Sequence, residues 1–96
     1  MAMYDQVYRM DGTAQTITTS GTSAATTNAV GSQTYAVRLH TTEDCFITCG
    51  ASPTATTSHT FLAADTTEYF RISPGEKIAA IQSTTAGTVY VMECTR

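Results

Sequence analysis

His40 and His59 are the two histidines of this chain of 96 residues, and together with Asp44 and any of several scattered serines they supply the residue types of a Ser-His-Asp set. That chemistry needs a serine on a sharp exposed turn within reach of a base, and no GxSxG elbow or comparable local signature accompanies the three. His40 reads instead as an outward-facing strand residue beside Arg38. Glycoside hydrolysis would need two carboxylates flanking a sugar bond. Glu43, Asp44, Asp65, Glu68, Glu76 and Glu93 each fall at a turn or strand end, where charge is expected without catalytic duty. A structural zinc site normally presents close pairs such as CxxC, whereas Cys45 and Cys49 are spaced CxxxC and Cys94 is distant. The sequence predicts no catalytic set, no metal site and no cofactor.

Three cysteines are an odd number, which argues against a disulfide framework. Cys45 and Cys49 lie in DCFITCG, a strand pattern, which puts them on one face about 13 Å apart, beyond the roughly 7 Å that a disulfide spans. Either could meet Cys94 only if the strand order happened to bring them together. Three free, buried thiols are the expectation. Five tyrosines and three phenylalanines could build a sugar platform, but the chain has no tryptophan. Most of these aromatics alternate along strands, where core or interface packing accounts for them.

The elements that would position such residues come from a chain with a modest core. A single domain of this length buries roughly 60 to 65% of the surface its unfolded form exposes. Composition is 42% hydrophobic and 14% charged, against about 25% charged in an average soluble domain. Threonine, serine and alanine make up the difference. Such a surface desolvates cheaply, because a hydroxyl costs far less to bury than an unpaired ion. The net charge is −3 and the basic residues are scattered, which argues against nucleic acid as a partner. No apolar run approaches the roughly 20 residues that cross a bilayer, and MAMYDQVYRMDG lacks the basic start and apolar stretch of a signal peptide. These features predict no membrane partner and synthesis in a cytoplasm.

Along the chain the pattern is all-β. AQTITT over 14–19 is a first strand with Ile17 as its anchor, and GTSAATTNAVGSQ is a long loop or an edge strand. TYAVRLHTT alternates Tyr35, Val37 and Leu39 against Ala36, Arg38 and His40, the period-2 mark of a half-buried strand. CFITCG follows after a short break and is expected to pair with it across a tight turn, with Cys45, Ile47 and Cys49 on one face. HTFLAA and TEYFRI supply further strands, Tyr69 and Arg71 facing away from Phe70 and Ile72. In Ser73-Pro74-Gly75-Glu76 the proline presets φ and the glycine accepts the positive φ of a type II turn. KIAAIQ and TVYVME, joined through Thr84–Gly87, read as a closing hairpin, with Val89 and Val91 opposing Tyr90 and Met92. The pattern predicts a small antiparallel β-sandwich or jelly-roll-like barrel of seven or eight short strands, in which free edges must be blunted or paired with another chain. Residues 1–13 form an N-terminal arm or edge segment and residues 14–96 the sandwich domain. Met1, Met3, Tyr4, Val7, Tyr8 and Met10 load the arm with apolar surface. It either folds back as an edge strand or reaches outward into a larger partner or a neighbouring subunit.

The block TYAVRLHTTEDCFITCGASPTAT, followed by FLAADTTEYFRISPGEKIAAIQSTTAGTVYVMEC, resembles a group of small structural proteins of tailed bacteriophages. The resemblance rests on Gly50, Pro53, Pro74, Gly75, Ile78, Ala80, Ile81, Gly87 and Val89, in that order, and covers residues 34 to 94. It implies a non-enzymatic β-sandwich of the virion, a decoration or cement subunit that binds the major capsid protein and stabilises the head shell. A head-tail or tail accessory protein is the alternative within that class, and a carbohydrate-binding, lectin-like module the alternative outside it. Weak charge and a modest core add the expectation of a homo-oligomer, a trimer, in the assembled particle.

Overall fold

The computed structural model describes residues 9, 10, 12 and 14–95, and within them every regular element is a β-strand. These are β1 (Arg9–Met10), β2 (Gln15–Thr18), β3 (Ala24–Ala25), β4 (Ala36–Thr41), β5 (Cys45–Gly50), β6 (Thr60–Leu62), β7 (Thr67–Arg71), β8 (Lys77–Gln82) and β9 (Thr88–Thr95). One sheet has the order β2-β9-β4-β7, with β1 continuing β2 along the same edge of β9; the other has the order β3-β8-β5-β6. Every pairing is antiparallel. From β2 onward the first half of the chain pairs with the second in mirror order, β2 with β9, β3 with β8, β4 with β7 and β5 with β6. This is one long hairpin rolled into two four-stranded layers, the jelly roll. The expected all-β sandwich is what the chain forms.

Alternation decides which face each strand buries. Val37, Leu39 and Thr41 of β4 point into the sandwich while Arg38 and His40 point out, and β9 does the same with Val89 and Val91 against Tyr90 and Met92. Ile17, Cys45, Ile47, Leu62, Ile72 and Ile78 complete the apolar layer between the sheets. Burying one such Val, Leu or Ile side chain is worth about 1.5–3 kcal/mol, so a dozen small anchors suffice to bind the layers.

Two expected pairings are corrected. β8 and β9 are not a closing hairpin: they lie in different sheets, and residues 83–87 carry the chain from one layer to the other. β5 likewise does not pair with β4, but with β6 and β8. The reason is local at Thr42–Asp44, where Ser83 N–H bonds Asp44 O (3.1 Å) and Thr42 N–H bonds Thr88 O (3.0 Å). Those bonds tie the corner to neighbours on both layers. Two side chains also break the alternation. Tyr35 precedes β4 and is 54% exposed instead of inward, and Cys49 is exposed because β5 reaches the open end of the sandwich there. The long segment after β2 contains only the two-residue edge strand β3 and one core residue, Val30.

The Pro-Gly turn is as the sequence reads it. Gly75 has φ +86°, Glu76 N–H bonds Ser73 O at 3.2 Å, and Ser73 N–H bonds Glu76 Oε1 at 2.9 Å. Gly75 N–H to Val30 O and Val30 N–H to Glu76 O staple this turn to the segment before β4. At Gly87 the requirement is space: a Cβ there would stand 2.8 Å from Glu43 Cβ and Cγ and from Thr42 Oγ1. Gly50 ends β5, with half-buried Pro53 packed close after it.

Replacing Gly75 with Val should therefore cost about 1 kcal/mol or more through the forced positive φ. Gly87→Val should cost about 1–3 kcal/mol through overpacking at the corner. Denaturant midpoints measure both, and a Gly75→Val midpoint equal to the parent's would remove the turn assignment.

Candidate functional site

The strand registers bring residues that are far apart in sequence into rows. On the outer face of the first sheet, Thr16, Tyr90, His40 and Thr67 form one row, and Met92, Arg38 and Tyr69 the next. Tyr90 and Tyr69 are 45% and 54% exposed. The His40 ring lies 6.4 Å from that of Tyr90, and its Nδ1 is 2.8 Å from Thr67 Oγ1. This face is an amphipathic patch, two tyrosines flanking an imidazole and a guanidinium. On the outer face of the second sheet, Phe61, Phe46 and Ile81 align across three strands. The two rings meet edge to face with centroids 5.5 Å apart, and Phe61 is 50% exposed. Both outer faces of the jelly roll thus carry exposed aromatic side chains.

At the end of the sandwich where β5 finishes and β6 begins, the layers part around a cleft of about 460 Å³. Leu39 and Phe70 from one sheet and Ile47 and Ile78 from the other border it, all but the half-buried Phe70 already covered within the core. Thr48, Cys49, Ser58, His59, Thr60 and Arg71 complete its walls and rim. His59 is held by its own loop: its Nδ1 accepts the Thr56 N–H at 2.9 Å, and its N–H donates to Thr56 O at 3.0 Å. Because a backbone N–H can only donate, Nδ1 is the acceptor and the ring proton sits on Nε2, free to donate.

The residues singled out for nucleophilic chemistry have other partners. His40 Nδ1 is engaged by Thr67, and Asp44 Oδ1 accepts the Ala64 N–H at 2.7 Å. Glu93 Oε1 accepts from Gly31 N–H at 2.9 Å and from the Thr34 hydroxyl at 2.6 Å, and Glu76 caps its own turn. Three of the carboxylates thus serve as acceptors for loop backbone. Among the described residues no group of three or more His, Cys, Asp or Glu is arranged to hold a metal ion. Of the arm residues, Met10 is 71% exposed and pairs with Cys94 through β1. Met1, Met3, Tyr4, Val7 and Tyr8 lie outside the described residues. The aromatic rows and the cleft were not singled out from the sequence. The signal for the rows was present in the alternation of Arg38-His40 and Tyr90-Met92, but it needed the registers to become a surface.

No protein-family model matches the chain, and no curated protein or solved structure matches it either.

All three thiols are free, Cys45 and Cys94 buried and Cys49 exposed. Burial pushes each above the ordinary value of 9.0, with Glu76 adding to the rise at Cys49 and the Thr41 hydroxyl opposing it at Cys45. The folded protein thus holds its thiol protons more tightly than the unfolded chain. That contribution to stability is complete below the ordinary value and is lost as pH rises through the raised ones. Tm should fall as pH is taken above 9, less steeply in Cys45→Ala; equal slopes would show that this thiol has no part in it. In the native state Cys49 should be the thiol that reacts with a thiol reagent, more slowly than an unhindered thiol because its raised pKa lowers the thiolate fraction, and the other two only after denaturation, which a labelling time course checks.

Proposed function

We propose that the protein is a non-enzymatic structural subunit of a tailed-phage virion, a decoration or cement protein seated on the capsid shell. The observation that carries this reading is the pair of aromatic rows on opposite outer faces of a weakly charged jelly roll. Jelly rolls serve as capsid and lectin domains, but that link is an analogy of fold and not of site. The physical support comes from the surface. Tyr69, Tyr90, Phe46 and Phe61 offer large apolar area at low entropic cost, and the serines, threonines and alanines around them desolvate easily. A subunit gripping two capsid proteins at once makes contacts that exist only in the assembled shell. It favours that state by mass action. Self-association as a trimer and an arm carrying Met1, Met3, Tyr4, Val7, Tyr8 and Met10 would add contacts of the same kind. A head-tail accessory role would use the same faces.

A second reading is favoured by one observation, the adjacency of Tyr90 and Tyr69 to His40 and Arg38. Exposed rings beside polar donors are what a carbohydrate-binding face requires.

Adding purified protein to undecorated shells and counting bound copies tests the first reading. Binding at a fixed copy number per capsomer is expected. Phe61→Ser and Tyr90→Ser should each lower occupancy by about tenfold or more while leaving Tm close to the parent's, since both rings are half exposed. Deletion of residues 1–10 should weaken binding further without abolishing a cooperative melt. No binding to shells, with saturable binding on a glycan array that is lost in Tyr90→Ser, would replace the virion role by the lectin reading.

A further inference from the structure

The two histidines differ in what protonation would break. His40 Nδ1 faces the Thr67 hydroxyl at 2.8 Å, and a hydroxyl either donates or accepts, so that contact survives in both charge states of the ring with its direction reversed. His59 has no such freedom. Its Nδ1 accepts the backbone N–H of Thr56 at 2.9 Å, and a peptide N–H cannot accept in return. Protonation of Nδ1 sets donor against donor. The Thr56 hydroxyl, 3.3 Å from Nδ1, offers the ring proton an acceptor but leaves the Thr56 N–H without one. The same turn is closed by His59 N–H on Thr56 O at 3.0 Å. On its near side the chain is fixed independently, since buried Ala55 donates its N–H to Ser23 Oγ at 2.8 Å. On its far side the turn runs directly into β6, the edge strand of the second sheet, whose first register pair is Thr60 with Ile47.

We propose that the turn from Thr56 to His59 is a pH-sensitive catch on edge strand β6, held shut by the neutral His59 ring and released, with the Thr60 end of β6, when Nδ1 takes up a proton. The ordinary titration range of histidine, about pH 5 to 8, is where such a catch operates. The bond that needs the neutral ring is present on the alkaline side and is lost as pH falls. Arg71 of β7 and Cys49 of β5 are the charged and titratable groups of the neighbouring strands that border the same cleft as His59, and Glu76 acts on the Cys49 thiol. None of them takes over the Thr56 N–H: a guanidinium only donates, the thiol keeps its proton, and the Glu76 carboxylate already accepts from Ser73 N–H. Water replaces the lost acceptor at this exposed turn, so release is local and the sandwich stays folded. Because β6 carries the half-exposed Phe61 against Phe46, the catch sets how firmly that ring is presented. The proposal stands on the turn alone and is independent of the virion role.

The test follows the backbone amides of the full chain by nuclear magnetic resonance and hydrogen exchange in the parent, in His59→Asn and in His59→Ala. Asparagine carries an acceptor oxygen on Cγ, where the imidazole carries Nδ1, but does not titrate. At about pH 5 the Thr56 amide of the parent should exchange about tenfold faster than that of His59→Asn, and at about pH 8 the two should match. His59→Ala should exchange fast at both pH values. The Ala55 amide should stay protected in all three proteins, and the Thr60 resonances of the parent should move with the same midpoint as those of Thr56. Equal Thr56 protection in the parent and His59→Asn at both pH values overturns the catch. So does an equal loss in the two on acidification, which assigns the change to carboxylates elsewhere. Loss of Ala55 protection together with that of Thr56 replaces the local catch by a general opening of the fold. Thr60 resonances that stay fixed while those of Thr56 move overturn the coupling to β6.

Discussion

Satisfying backbone polar groups at the corners is the constraint on which this structure depends. In a jelly roll, nearly every strand ends by leaving its sheet, and only β5 and β6 are consecutive strands of the second layer. Each crossing takes N–H and C=O groups out of the ladder, and a buried group without a partner costs as much as a lost hydrogen bond. Short side chains do the repair. Buried Thr19 exchanges hydrogen bonds with Gly87, its hydroxyl accepting the Gly87 N–H (2.8 Å) and donating to Gly87 O (3.1 Å). Thr41 donates to Glu43 O, Thr42 accepts from Thr88 N–H, and Thr26 accepts from Ile78 N–H. Gln15 and Asn28 close a two-way bridge, and Ser23, just before β3, accepts the Ala55 N–H from the loop between β5 and β6. Among the described residues no buried side-chain polar atom is left without a partner. Part of the high threonine content, which on composition alone suggests only a weakly charged surface, is thus the chemistry of these corners.

That explains what was legible in the sequence and what was not. The strands were legible, since alternation over Val37-Leu39, Phe70-Ile72 and Val89-Val91 reports a half-buried sheet whatever the partner. So was Gly75, because a Pro-Gly pair at the centre of a four-residue turn has few other uses. Pairing was not. Chain neighbours such as β8 and β9 look like a hairpin whenever two alternating runs flank a short glycine-containing link, and nothing local distinguishes a link that turns back from one that crosses to the other layer. The discriminating information sits in partners far away, Thr19 for Gly87 and Thr88 for Thr42. The backbone at Asp65 was not legible for a related reason: the residue holds φ +58°, a conformation that aspartate tolerates better than most residues but that no glycine announces. The cleft was invisible for the simplest reason, since its walls come from five strands spread over forty residues of chain.

The same economy that makes the corners work leaves the protein unfinished on its outside. Its fully buried side chains are small, with Leu39 and Leu62 the largest, and alanine occupies two successive positions of β8, a central strand. Small inner side chains let short strands pack closely, but they cannot fill the interlayer space out to the ends of the sandwich, so Cys49 is exposed and Phe70 only half covered at the mouth. The large side chains that a bigger core would have absorbed stand outside instead, as Tyr69, Tyr90 and the Phe46–Phe61 pair. Apolar area of this kind has a tendency to be covered by something, and a chain with 14% charged residues puts little electrostatic resistance in the way. The exposed aromatic rows and the open mouth are therefore two consequences of one choice of residues: a core of small side chains leaves the large ones outside and the layers apart at one end.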